Sequence, residues 1–150
     1  MKTMEDLLGG HPFFAGLGAD AMELIAGCAS NVHFTEGDYI FSQGEEASRF
    51  YVIRRGKVAL EIRSPERGPL VIETIDEGEV LGWSWLIAPY RYFFDARCVM
   101  PVSATALDGA CLRGKSEADP ELGYELLKRV TAEMLKRLQS ARIRLLDLYG

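Results

Sequence analysis

Between Asn31 and Gly82 every apolar run is broken within a few residues by glycine, proline or acidic side chains: NVHFTEGDYIFSQGEEASRFYVIRRGKVALEIRSPERGPLVIETIDEGEVLG. A helix needs its 3.6-residue period sustained over ~10 residues or more, so this rhythm restricts the segment to short strands joined by tight turns. The runs fall at 39–41, 50–54, 57–62, 70–75 and 80–81, with RRGKV and SPERGP as hairpin turns. A further pair at 96–100 and 102–107, separated at Pro101, closes the set. Short strands at such spacing predict an antiparallel β-roll or jelly-roll barrel over 31–108.

The flanks have the other period. In HPFFAGLGADAMELIAGCAS, Phe14, Leu17, Met22, Leu24, Ile25 and Cys28 recur near helical spacing, which predicts helices within 1–30. After a turn-rich connection, DGACLRGKSEADP, one helical pattern occupies 120–150, with Asp119 as N-cap and Pro120 at the first helical position. Leu127, Thr131, Met134, Leu138, Ala141, Leu145 and Leu148 follow heptad spacing, and Leu126, Val130, Leu135, Ile143 and Leu146 widen the stripe. One face of this helix is expected on the barrel and another on a partner, a second copy first; packing on the barrel alone is the other reading. The basic residues Lys128, Arg129, Lys136, Arg137, Arg142 and Arg144, interleaved with acids, read as a solvated face. The fold class is therefore α+β, mainly β, in a single domain.

Composition removes several functions. A chain of 150 residues with net charge −5 is no general polyanion binder. No run has the length of a membrane span and no signal peptide precedes the fold, so a cytoplasmic location without membrane contact is expected. Cys28, Cys98 and Cys111 are widely spaced and lack a CxxC pattern, which predicts buried reduced thiols rather than a disulfide or a zinc site. His11 and His33 stand apart, so neither a metal nor a haem site is advertised. No nucleophile elbow or acid/base pair marks an enzyme, and no catalytic residue is assigned.

One stretch is chemically unusual. GEVLGWSWLIAPYRYFFDARC concentrates Trp83, Trp85, Tyr90, Tyr92, Phe93 and Phe94 around charged residues. Such a density marks either an aromatic-lined pocket or a core. For the two tryptophans both readings stand; Phe93 and Phe94 are read as core.

The element order and glycine frame resemble the cyclic nucleotide-binding domain family, in particular the sensory half of the Crp/Fnr regulators. FTEGDYIFSQGEEASRFYVIRRGKVALEI is similar to the family's G-D-x-I-x-x-x-G-E and F-Y-x-I-x-x-G-x-V pattern, placing Gly37, Asp38, Gly44, Glu45, Gly56 and Val58 at its positions. The resemblance implies that a phosphate-binding cassette follows, in which amides at a helix start and one arginine hold a cyclic phosphate and an acid holds the ribose. Gly78, Glu79 and Gly82 match that cassette; Trp83 stands at the family's acid, and the family's arginine falls near Tyr92, with Arg91 or Arg97 as substitutes. The implied ligand residues are Gly82, Trp83, Ser84, Trp85, Tyr90, Arg91 and Tyr92. The ligand would be a cyclic nucleotide or another small anion, with no further cofactor. The resemblance implies a sensory domain signalling through its last helix; the alternative is a non-binding dimeric module that engages a protein partner. Because the family's helix-turn-helix does not follow within the sequence, direct nucleic-acid binding is not expected.

Overall fold

The structure, a computed structural model, describes residues 3–149. Among these, two four-stranded antiparallel sheets face each other, with strand orders β1-β8-β3-β6 and β2-β7-β4-β5. The strands are β1 (Ala29–Phe34), β2 (Tyr39–Phe41), β3 (Arg49–Arg55), β4 (Lys57–Ser64), β5 (Gly68–Asp76), β6 (Val80–Leu81), β7 (Asp95–Cys98) and β8 (Val102–Asp108). The helices are α1 (Met4–Gly9), α2 (Ala19–Ala26), α3 (Gly109–Ala118) and α4 (Pro120–Tyr149).

The near-continuous apolar run Phe50–Ile53 has a direct physical reason: β3 is covered on both faces. Alternate side chains on a strand point to opposite sides. Tyr51 and Ile53 enter the core between the sheets with Val58, Leu60, Ile75 and Leu81. Phe50 and Val52 point the other way, into a second core shared with Leu8, Phe14, Ile25, Leu112, Leu122 and Leu126 from the helices. The β3–β4 hairpin turns at Gly56, whose φ is +106°. A Cβ there would stand 2.5 Å from the Pro101 carbonyl and 2.9 Å from Val102, so only glycine lets β8 pass this close. β4 and β5 pair from Lys57↔Asp76 to Ser64↔Gly68, with one irregularity at Leu60/Glu61.

The roll and its flanking helices agree with the sequence reading, and three local expectations are corrected. The β region opens at Ala29 rather than Asn31, because β1 pairs with β8 from Ala29↔Leu107 onward. DGACLRGKSEADP is not a loop: Gly109–Ala118 is helical, capped by the Asp108 carboxylate on the Cys111 amide at 2.8 Å. Gly109, which suggested a turn, serves there to let α3 lie against Trp85, since an added Cβ would come within 2.9 Å of the Trp85 Cβ. Finally, two cysteines are not reduced. Cys28 and Cys111 form a disulfide with Cα atoms 5.7 Å apart, tying the end of α2 to α3; only the fold brings residues 83 positions apart together. Cys98 is the free thiol, buried in the roll. Burial, reinforced by Asp38 and opposed by Arg97, pushes its pKa up to about 11.

Asp119 accepts from the Leu122 amide at 3.3 Å, the expected cap of α4. That helix buries Leu122, Leu126, Val130 and Arg137. The solvated-face reading thus fails at Arg137, whose side chain is inserted into the body of the domain. Leu127, Met134, Leu138, Leu145 and Leu148, the heptad residues, remain exposed. Met1, Lys2 and Gly150, included in the expected terminal helices, lie outside the described residues.

Candidate functional site

The aromatic stretch begins where β6 ends. Gly82 adopts φ +88°, in the left-handed region, which turns the chain out of the sheet and into a 3₁₀ turn at Trp83–Trp85. A Cβ on Gly82 would meet the Arg49 carbonyl at 3.1 Å and the Tyr92 ring at 3.3 Å. The following loop passes a cis Ala88–Pro89 bond and a left-handed Tyr90 at φ +58° before joining β7. Tyr90 is held by its carbonyl, which accepts from the Ala47 amide at 2.7 Å, and by the Arg113 guanidinium 4.2 Å above its ring. Arg113 also donates to the Trp85 carbonyl at 2.5 Å, so α3 braces both ends of the loop.

The two tryptophans have separate fates. Trp85 is wholly buried, tilted against Phe50 at 5.9 Å between ring centroids, and is core. Its indole N–H has no hydrogen-bond partner among the described residues. Trp83 is only partly buried and borders two cavities. The first, about 30 Å³, is bounded by Phe41, Gly82, Trp83, Ser84, Tyr92 and Arg137. It holds no more than a single water, far below the ~300 Å³ of an ordinary ligand pocket. The second is a groove of about 320 Å³ between the loop and α4, walled by Trp83, Leu86, Ile87, Phe93, Leu127 and Met134.

Tyr92, near the family's arginine position, is closed rather than offered to a ligand. Its ring stacks on Phe41 at 3.7 Å, and its hydroxyl donates to the Arg49 carbonyl at 2.6 Å and accepts from the Arg49 amide at 3.2 Å. Burial raises this phenol far above the ordinary tyrosine range. Arg91 is exposed, donates to the Gly44 carbonyl at 3.4 Å and lines neither cavity. Arg97 is bound to the buried Glu61 carboxylate at 3.1 and 3.2 Å. The core reading of Phe93 is corrected: its ring is 62% exposed, while Phe94 packs beside the roll's core.

The cation beside Gly82 and Ser84 comes instead from α4. Arg137, 8% exposed, places its guanidinium 4.2 Å over the Trp83 ring and donates to the Val80 carbonyl. Its Nε has no hydrogen-bond partner among the described residues; a carboxylate oxygen of Glu73 is 3.9 Å away. Burial pulls its pKa below the usual arginine value, against the pull of Glu73, Glu133 and Glu79. Burial likewise raises Glu73, opposed by Arg137 and Arg144. Arg144 donates to the Ile72 carbonyl and Lys136 stands 3.9 Å from Glu79, so one polar face of α4 is clamped to β5 and β6. Sequence reasoning missed Arg137 because its neighbours Lys136 and Arg142 are surface charges of the same kind. The available signal was its place one heptad after Val130, on the buried side of the stripe.

A 3₁₀ turn of one turn's length supplies little dipole of its own. What the arrangement can do is present a buried guanidinium, a hydroxyl at Ser84 and aromatic walls at one place, with the guanidinium borne by α4.

Comparison with known proteins identifies the fold. The cyclic nucleotide-binding domain model matches residues 31–119. A CRP-like cAMP-activated global transcriptional regulator of Mycobacterium tuberculosis is 27% identical over 134 residues, covering 89% of this chain; the chain spans 59% of that regulator's length. Human cGMP-dependent protein kinase 2 is 33% identical over 70 residues, covering 46% of this chain and 9% of the kinase. Among solved structures, a candidate cyclic nucleotide-binding protein from Geobacter metallireducens superposes with a TM-score of 0.81 at 32% identity, covering 92% of this chain and 99% of that one. The match extends over both sheets and the aromatic loop, and the chain belongs to the cyclic nucleotide-binding domain family.

Proposed function

We propose that this chain is a sensory domain that binds a small anionic ligand at the 82–92 cassette and passes occupancy to other parts of its protein, or to a partner, through α4. The observation that supports this is Arg137: the buried cation of the cassette belongs to α4, not to the cassette loop. A ligand anion at Ser84 would draw on the same guanidinium that now holds Val80 and Trp83, so occupancy and helix position share one contact. A ligand moves the helix only by binding its two positions with different affinity, and a shared guanidinium supplies that difference. The role is regulatory rather than catalytic.

The test is calorimetry against cyclic AMP, cyclic GMP and cyclic dinucleotides, paired with hydrogen exchange along α4. Binding accompanied by a change in protection around 130–144 is the expected result; binding with no change in α4 would remove the signalling half of the reading. A second reading, a non-binding interaction module, is favoured by two observations. The cavity at Gly82 is nearly closed, while the heptad leucines of α4 stand exposed.

A further inference from the structure

The two cavities at the aromatic loop share a wall. Trp83, Ser84 and Phe93 line both the small space that reaches Arg137 and the groove of about 320 Å³ against α4. The groove is apolar along Leu86, Ile87, Leu127, Val130 and Met134, with the Ser84 and Thr131 hydroxyls as its small polar groups. Its volume is that of an ordinary small-molecule site.

Resting on the sensory reading, we propose that these two spaces form one bipartite site for a small amphipathic anion. A planar or short aliphatic body lies in the groove, and a single carboxylate or similar group meets Arg137. Three observations converge on this chemistry. Arg137 is more than nine-tenths buried, its Nε has no hydrogen-bond partner among the described residues and stands 3.9 Å from Glu73, and a guanidinium carries five donors in a fork that matches a carboxylate. The Trp83 indole covers that guanidinium at 4.2 Å, a contact weaker than the forked ion pair that would replace it when the ring turns aside. The groove itself offers no carboxylate to hold sugar hydroxyls, and the position where the family keeps its acid is Trp83. Burying a ribose against these walls would leave its hydroxyls unpaired, a cost that an apolar body does not incur. Glu73, 3.9 Å from the Arg137 Nε, competes for the guanidinium and selects for ligands whose body contributes much of the affinity.

The experiment is calorimetry and amide NMR titration of the whole chain with 2-naphthoate, with its neutral amide, 2-naphthamide, and with cyclic AMP. 2-Naphthoate is expected to saturate, to shift amides along both walls of the groove, and to bind about tenfold or more tightly than the amide. Arg137→Gln is expected to bring the two naphthyl ligands within about twofold of each other. Ile87→Asp, at a rim residue that is 66% exposed, is expected to weaken 2-naphthoate about fivefold or more without unfolding the domain. Should Arg137→Gln fail to fold, the acid-to-amide ratio in the native chain and the Ile87→Asp result decide the matter. Equal binding of acid and amide overturns the proposal, as does an unchanged affinity in Ile87→Asp. Tight cyclic AMP binding with none by 2-naphthoate overturns it while leaving the sensory reading intact, and a folded protein that binds none of the three overturns both.

Discussion

Gly82 decides the direction in which the aromatic loop leaves the sheet. A side chain there would suffer both a left-handed backbone and contacts at 3.1 and 3.3 Å with Arg49 and Tyr92. Gly82→Ala is expected to cost about 2 kcal/mol, read as a fall of ~4–8 °C in the thermal midpoint by circular dichroism. His11 makes a different demand. Its Nδ1 accepts from the Phe13 amide at 3.1 Å and its Nε2 lies 3.2 Å from the Ile53 carbonyl. Burial holds its pKa below 6.5, assisted by Arg54 and opposed by the Ile53 contact. With the folded value depressed, the unfolded chain takes up the proton first, so this stability is full above 6.5 and is lost as pH falls through the folded value. His11→Asn keeps a cap for Phe13 and cannot titrate. Thermal melts from about pH 7.5 to about pH 5 should therefore show a flatter pH dependence for the variant than for the native chain.

Among the elements, the strands and the two hairpin turns were legible, whereas α3 and the disulfide were not. β3 and β4 announce themselves because apolar runs and a glycine turn are local signals, readable without any partner. α3 was hidden because Gly109 and Gly114 weaken its local preference, and what makes it a helix is the Asp108 cap and its contact with Trp85 and α4. The disulfide was hidden for a related reason: spacing along the chain says nothing about two cysteines joined only by tertiary packing. It closes a long loop, and its loss is expected to cost about 2–4 kcal/mol. Reductant should lower the thermal midpoint of the native chain and leave a Cys28→Ser, Cys111→Ser double variant, already less stable, unmoved. A native midpoint indifferent to reductant would remove the bond's stabilising role.

The molecule as a whole was readable as a family fold from its glycine frame, yet its candidate site was only half readable. The proposed cassette was placed by Gly78, Glu79 and Gly82; the Arg137 cation beside it was not legible, because it arrives from a helix more than fifty residues later in the chain. The same helix leaves Leu127, Met134, Leu138 and Leu145 exposed along one stripe. Under the interaction-module reading a second copy covers that stripe, and sedimentation velocity at tens of micromolar is expected to show a dimer that Leu138→Glu dissociates. A strict monomer would leave that reading without its main support.

The chain has two tryptophans, and both lie in the single 3₁₀ turn after Gly82. Excited at the red edge of its absorption, the protein therefore emits from the cassette and nowhere else. Trp85, sealed from solvent, sets a blue-shifted component, whereas Trp83, pressed against a guanidinium at the rim, reports any rearrangement beside it. An unmodified optical gauge thus stands at the proposed ligand site, so that ligand screening there requires no label, no cofactor and no enzyme assay.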